Sequence, residues 1–188
     1  MPTETKTVTR LNGLDLDALN DVVREVERDH RKGMVSFHVR SVWRGQTKSR
    51  STVESYTIGG QEVRRHFDID VDEPHELLGQ NTAPNPQEML MTALNACIMV
   101  GYVAGAAVKG ITLQSVEIET DGELDLRGFL GIDPAVLPGY ETLNYTVRIK
   151  GSGTKEEFAE VHKAVMATSP NFHNLSRPVD LKPTLVVE

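Results

Sequence analysis

The sequence predicts an α+β protein in which small antiparallel sheets accompany one long apolar helix. Three observations carry that expectation. Residues 89–108 (MLMTALNACIMVGYVAGAAV) run for about 20 positions without a charged side chain. On both sides of that run, apolar and polar residues alternate with the period of two that a half-buried strand requires. Two shorter segments, one nearer each end, instead place apolar residues at the three- and four-residue spacing of an amphipathic helix.

Taken in order, residues 1–13 read as a loose lead-in. Asp15 is suited to cap a surface helix with Leu16, Leu19, Val22 and Val26 on one stripe, Arg31 and Lys32 in its last turn, and Gly33 as its stop. Val35, Phe37 and Val39 alternate with polar residues as a half-buried strand, and residues 44–52 form a polar loop or frayed edge. Strands over 53–58 and 61–71 meet at Gly59-Gly60, a dipeptide suited to a tight hairpin turn. Residues 72–84 (DEPHELLGQNTAP) are rich in helix and strand breakers. Asn85, Pro86 and Glu88 then supply the N-cap, first-turn proline and capping-box acid of the long helix, which Gly110 ends. A strand follows over 115–126, and another on which Leu143, Tyr145, Val147 and Ile149 share a face. Thr154 and Glu157 open a helix with Phe158, Val161 and Val165 inward. It breaks at Ser169-Pro170 and leads to a closing strand over 179–187.

The uncharged run could span a bilayer, and Gly101 and Gly105 have the spacing that lets two helices approach closely. Thr92 and Asn95 interrupt it with polar groups, Lys109 is its basic flank, and its neighbours read as strands of a soluble fold. The run therefore reads as a helix that is apolar all round because it is buried all round. A chain of 188 residues has too little material to enclose it alone, which implies an obligate homodimer wrapping two such helices. The net charge of -7, from 27 acidic and 20 basic residues, argues against a nucleic-acid partner. A single cysteine excludes an intramolecular disulfide and a cysteine-built zinc site. Residues 1–10 hold no apolar stretch of the secretory kind, so a cytoplasmic protein that stays off the membrane is expected.

Several chemical signals fail on inspection. Asp68, Asp70 and Asp72 have the opening spacing of a calcium loop, but Glu73 and Gly79 stand where that loop needs glycine and glutamate. They read instead as the wet face of a strand whose dry face is Phe67, Ile69 and Val71. Gly151-Ser152-Gly153 is a strand-to-helix turn that lacks the phosphate-loop glycine–lysine pair. The six histidines show no paired ligand spacing, so neither a metal nor another cofactor is expected.

Cys97, midway along the apolar helix, is what remains. In isolation such a residue is usually a small hydrophobe. Residues 85–97 (NPQEMLMTALNAC), however, resemble the NPEEL…AAC helix of the OsmC/Ohr family of hydroperoxide-resistance proteins. The resemblance continues through GELDLRG at 122–128, TKEE at 154–157, Ser169-Pro170, and LSRPV at 175–179, covering residues 34–188. It leaves 1–33 as an N-terminal extension carrying the surface helix.

The resemblance implies an intertwined homodimer whose antiparallel sheets wrap paired central helices. It also implies a peroxidatic cysteine at Cys97, which attacks an organic hydroperoxide and becomes a sulfenic acid. Gln87 then occupies the place of the family's arginine-orienting glutamate, and Ser169 the place of its resolving cysteine, so the reducing thiol must come from outside. An apolar pocket raises a thiol's pKa, and a guanidinium must offset that. Arg40, Arg44, Arg64 and Arg65 are the candidates, from a strand or from the partner chain. Met89, Met91, Phe172 and Leu175 are candidates to line the pocket. Two functions compete: a single-cysteine thiol peroxidase, and a non-catalytic or differently acting member that binds a small apolar ligand at the dimer interface. A structural dimer without a ligand is the third and weakest class.

Overall fold

The computed structural model of the chain describes residues 9–188. Of the expected lead-in, residues 1–8, on which the reading of no secretory signal also rests, lie outside the described residues. The architecture is α+β with antiparallel pairing throughout the described strands, and the chain divides into two compact units after Thr92.

In the first unit, β1 (Arg10–Leu11) and β2 (Leu14–Asp15) form a small hairpin, so the last residues of the lead-in are ordered. Asn12 and Gly13, at φ 51° and 80°, make its turn. Asp15 caps α1 (Leu16–Arg28), its carboxylate accepting from the Ala18 N–H at 2.9 Å. The helix stops at Arg28, short of the expected Gly33. Asp29 accepts from the Arg31 backbone and binds its guanidinium, drawing Arg31 and Lys32 into a 3-10 turn, His30–Gly33.

The sheet centres on β5 (Ser49–Ile58). One edge of β5 pairs with β6 (Gln61–Val71), and the other with β3 (Val35–Phe37) and β4 (Arg40–Trp43). Gly59 and Gly60, at φ 56° and 80°, make the expected hairpin turn. Three expectations are corrected here. Residues 49–52 are strand, so the polar loop is confined to 44–48. Polar pairs across the strands, Ser41 with Ser51 and Thr52 with Asp68, both at 2.8 Å, replace the apolar alternation that would have signalled it. Val39 lies outside β3, and Phe37 and Phe67, read as inward, are 71% and 56% exposed because no described residue covers that face. Asp72, read as wet, is buried.

The helix α2 (Pro86–Val108) begins with the expected capping box. Asn85 Oδ1 accepts from the Glu88 N–H and Glu88 Oε2 from the Asn85 N–H, each at 2.8 Å. By length and a mean hydropathy of 1.7 it could cross a membrane. In the second unit, though, Leu94, Ile98, Tyr102 and Ala106 recur every fourth residue as one buried stripe against Ile111 and against Val161 and Val165 of α4 (Lys155–Thr168). That stripe makes α2 the core helix of the second unit. A Cβ on Gly101 or Gly105 would stand 3.1 Å from the Val165 or Val161 methyls, so the glycine pair sets this close crossing. The single chain buries that stripe and leaves Val100 and Val108, off it, each 68% exposed.

Strands β7 (Leu113–Gly122) and β8 (Leu143–Gly151) pair antiparallel, with Val116, Ile118, Tyr145, Val147 and Ile149 packed on the core. β7 ends before the expected 126, because Asp125 caps a single turn, α3 (Leu126–Phe129). Thr154 and Glu157 form the predicted capping box of α4. The expected closing strand is absent. Ser169 ends α4 and caps α5 (Pro170–Ser176), and residues 177–188 carry no regular structure. Pro178 and Pro183 lack backbone donors, and Val179, Leu181 and Leu185 stay exposed, with no strand paired to them among the described residues.

Candidate functional site

Cys97 is half-buried on α2 and Ser169 is 6% exposed at the α4–α5 junction. Their Sγ and Oγ atoms lie 3.3 Å apart, within hydrogen-bonding range for sulfur. Ser169 can stand there because α4 ends and α5 begins on the same residue. Its hydroxyl accepts from the Phe172 N–H at 3.4 Å, which leaves its own proton for the sulfur. Phe172 meets Tyr145 edge-on, with ring centroids 6.4 Å apart, and the Tyr145 hydroxyl donates to Met166 Sδ. Asn171 Nδ2 donates to the Ala93 carbonyl at 2.8 Å, tying α5 to the turn of α2 that precedes Cys97.

One helical turn beyond Cys97, buried Tyr102 is hydrogen-bonded to His162 Nδ1. Burial, with a smaller contribution from Tyr145, pushes the Tyr102 phenol up to about 12. It therefore keeps its proton at neutral pH.

Of the predicted residues, the structure brings Cys97, Ser169 and Phe172 together in the second unit. Gln87, exposed in the first turn of α2, and half-buried Met89 and Met91 belong to the first unit. So do the four arginines, all exposed. Arg40 is on β4, Arg44 follows it, and Arg64 and Arg65 are on β6. Arg65 is held 4.9 Å over the Tyr56 ring and 5.5 Å from the Phe67 centroid. Leu175, 42% exposed, is on α5.

Two carboxylates escaped sequence reasoning. Asp72 Oδ1 accepts from Thr47 Oγ1 and the Glu73 N–H; its Oδ2 accepts from Thr82 Oγ1 and the backbones of Gln80 and Thr82, all within 2.8–3.2 Å. Burial pushes this carboxyl up, but the bonds from Thr82, Thr47 and Glu73 outweigh it and hold the carboxyl far below the usual range. An aspartate opening a breaker-rich loop was the available signal. The Glu73 carboxyl is pushed up by burial and by the charges of Asp72 and Glu88, and its Oε2 is buried without a hydrogen-bond partner among the described residues. Among the described residues, no three His, Cys, Asp or Glu side chains gather as a metal would need.

An α+β protein with a core helix that presents one half-buried thiol to a buried serine at a helix junction is the class these features define. A family model described as OsmC-like protein matches residues 79–184, more than half of the chain, and the protein belongs to the OsmC-like family. Among solved structures it is similar to an OsmC-like protein from Mycoplasma pneumoniae, at 18% identity and a TM-score of 0.57, covering 75% of this chain and 87% of that one. It is also similar to a putative osmotic stress induced and detoxification response protein from Psychrobacter arcticus 273-4, at 12% identity and a TM-score of 0.56, covering 72% and 85%. An OsmC-like protein of unknown function from Vibrio cholerae matches at 13% identity and a TM-score of 0.53, covering 74% and 93%. At these identities the likeness is one of fold. No curated protein sequence matches the chain.

Proposed function

We propose that the protein is a single-cysteine thiol peroxidase of organic hydroperoxides, working as a cytoplasmic homodimer with an external thiol as reductant. The observation that carries this reading is the 3.3 Å approach of Ser169 Oγ to Cys97 Sγ. That contact puts a hydroxyl within hydrogen-bonding reach of the sulfur that would react. The thiolate attacks the outer peroxide oxygen, the O–O bond breaks, and the alkoxide takes a proton and leaves as an alcohol. Cys97 is then a sulfenic acid. Ser169 cannot resolve it as a disulfide. One external thiol instead displaces water to give a mixed disulfide, and a second releases Cys97 together with an external disulfide. Gln87 is assigned to orienting the arginine that serves the thiolate, drawn from Arg40, Arg44, Arg64 and Arg65. Met89, Met91 and Phe172 are assigned to the substrate pocket, and residues 1–33 to an extension outside the catalytic domain.

The homodimer is supported by apolar side chains that the single chain leaves exposed, Phe37, Trp43 and Phe67 on the sheet and Val100 on α2. Dimedone trapping tests the chemistry. After addition of cumene hydroperoxide, mass spectrometry should find dimedone on the Cys97 peptide, and Cys97→Ser should consume no peroxide. A wild-type protein that neither traps dimedone nor consumes peroxide refutes the reading.

A further inference from the structure

With 7 residues, α5 is too short to keep a helical shape without packing. The chain beyond it, residues 177–188, carries no regular structure, so the placement of α5 rests on its first turn. Two contacts are made there. Phe172 packs against the core of the second unit and meets Tyr145 edge-on. Apolar contact of this kind is non-directional and holds a helix down without fixing its rotation. Asn171 supplies the direction, its Nδ2 donating to the Ala93 carbonyl at 2.8 Å across 78 residues of sequence. A carbonyl only accepts, so the amide nitrogen has to face it.

Ala93 stands four residues before Cys97 on α2, and the same carbonyl accepts the helical bond from the Cys97 N–H. The Asn171 amide is thereby seated on the peptide group that fixes the Cys97 backbone. At the other end of this tie is Ser169, two residues before Asn171. Its N–H donates to the Val165 carbonyl at 2.9 Å, and its carbonyl accepts from the His173 N–H at 3.0 Å. Residue 169 therefore belongs to both α4 and α5, and a rotation of α5 carries its side chain along. That side chain lies 3.3 Å from the Cys97 sulfur.

We propose that Asn171 is a positioning residue: its bond to Ala93 sets the rotation of α5, keeps residue 169 against the Cys97 sulfur and closes that side of the sulfur to an incoming reagent. This deepens the peroxidase reading and rests on it only for the role of Cys97 as the reacting group.

The approach of residue 169 to Cys97 can be measured without peroxide. When Ser169→Cys is equilibrated with reduced and oxidised glutathione, the linked fraction gives the effective concentration of one thiol at the other. Asn171→Asp in that background keeps the shape but offers the carbonyl no donor. It should lower the effective concentration by about tenfold, the scale of one lost hydrogen bond. Asn171→Gln, with the amide on a longer arm, should lose less, and His173→Ala, on the same helix, should lose nothing. With Ser169 intact, Asn171→Asp should speed the reaction of Cys97 with dithiodipyridine by about threefold or more. Circular dichroism checks each fold, and Asn171→Ala replaces the aspartate variant if that one fails to fold. Lower thermal stability with an unchanged effective concentration would make the bond merely structural and overturns the proposal. Unchanged reactivity of Cys97 overturns it as well. A wild type that consumes no peroxide refutes the peroxidase reading and leaves both measurements standing.

Discussion

Replacing Ser169 with cysteine restores, on this geometry, a partner that Cys97 can oxidise onto. The existing Sγ···Oγ separation of 3.3 Å must contract to the roughly 2.05 Å of a disulfide, and the longer C–S bond of the new side chain supplies part of that. The two positions are 72 residues apart in sequence, so the crosslink closes a long loop. On the chain-entropy account, a loop of that length constrains the unfolded state by about 4 kcal/mol. For a domain of this size that corresponds to a rise in Tm of roughly 10 °C. Non-reduced digests of Ser169→Cys treated with one equivalent of peroxide should therefore show the Cys97 peptide disulfide-linked to the peptide that carries the substitution. Its Tm should exceed that of the dithiothreitol-treated sample by about that amount. The wild type, treated alike, should show neither change. A variant whose Cys97 forms sulfenic acid but never the linked pair would refute the placement of the α4–α5 junction. A linked pair without stabilisation would mean that the bridge is formed at the expense of native packing.

A partner that covers exposed Phe37, Trp43, Phe67 and Val100 requires light scattering on dilute protein to return twice the 20.8 kDa chain mass; a folded monomer defeats that reasoning. Gly105→Leu should separate α2 from α4, because even its Cβ meets Val161 Cγ1 at 3.1 Å. A loss of about 3 kcal/mol in urea unfolding is expected, with Gly105→Ala milder. Asp72 has a folded-state pKa held below its unfolded value of about 3.9, so its contribution is present above that pH and is lost as pH falls through and below it. Thermal melts from pH 7 to pH 3 should show Asp72→Asn less stable at pH 7 and converging with the wild type in acid. Parallel curves would show that Asp72 contributes nothing pH-dependent.

The local grammar of the chain was legible before any coordinate. Asp15, Asn85 with Glu88, and Thr154 with Glu157 cap their helices as read, because a cap is made within three or four residues. Gly59-Gly60 turns its hairpin for the same reason, the requirement for positive φ being local. The inward faces of β8 and α4 followed from periodicity, since each buries one side against a single core. Where the notion of inside depended on what covers a face, the sequence misled. Phe37 and Phe67 alternate as inward residues do and are mostly exposed, and the valines near the C-terminus find no strand to pair with among the described residues. Periodicity reports which side is apolar and not what lies on it.

Cys97 and the family motif around it could be read directly from the sequence. That its sulfur meets Ser169 is a contact across 72 residues, made by the crossing of α2 and α4 that Gly101 and Gly105 permit. Asp72 shows the same division from the other side. Its charge reads as solvent-facing, and only the folded loop gathers five donors around it, at a separation in sequence that no pattern of adjacent residues encodes. Short-range hydrogen bonding and apolar period are properties of neighbouring residues, so the sequence alone determined them. Which distant groups share a site depends on how whole elements pack, and only the tertiary structure decided that.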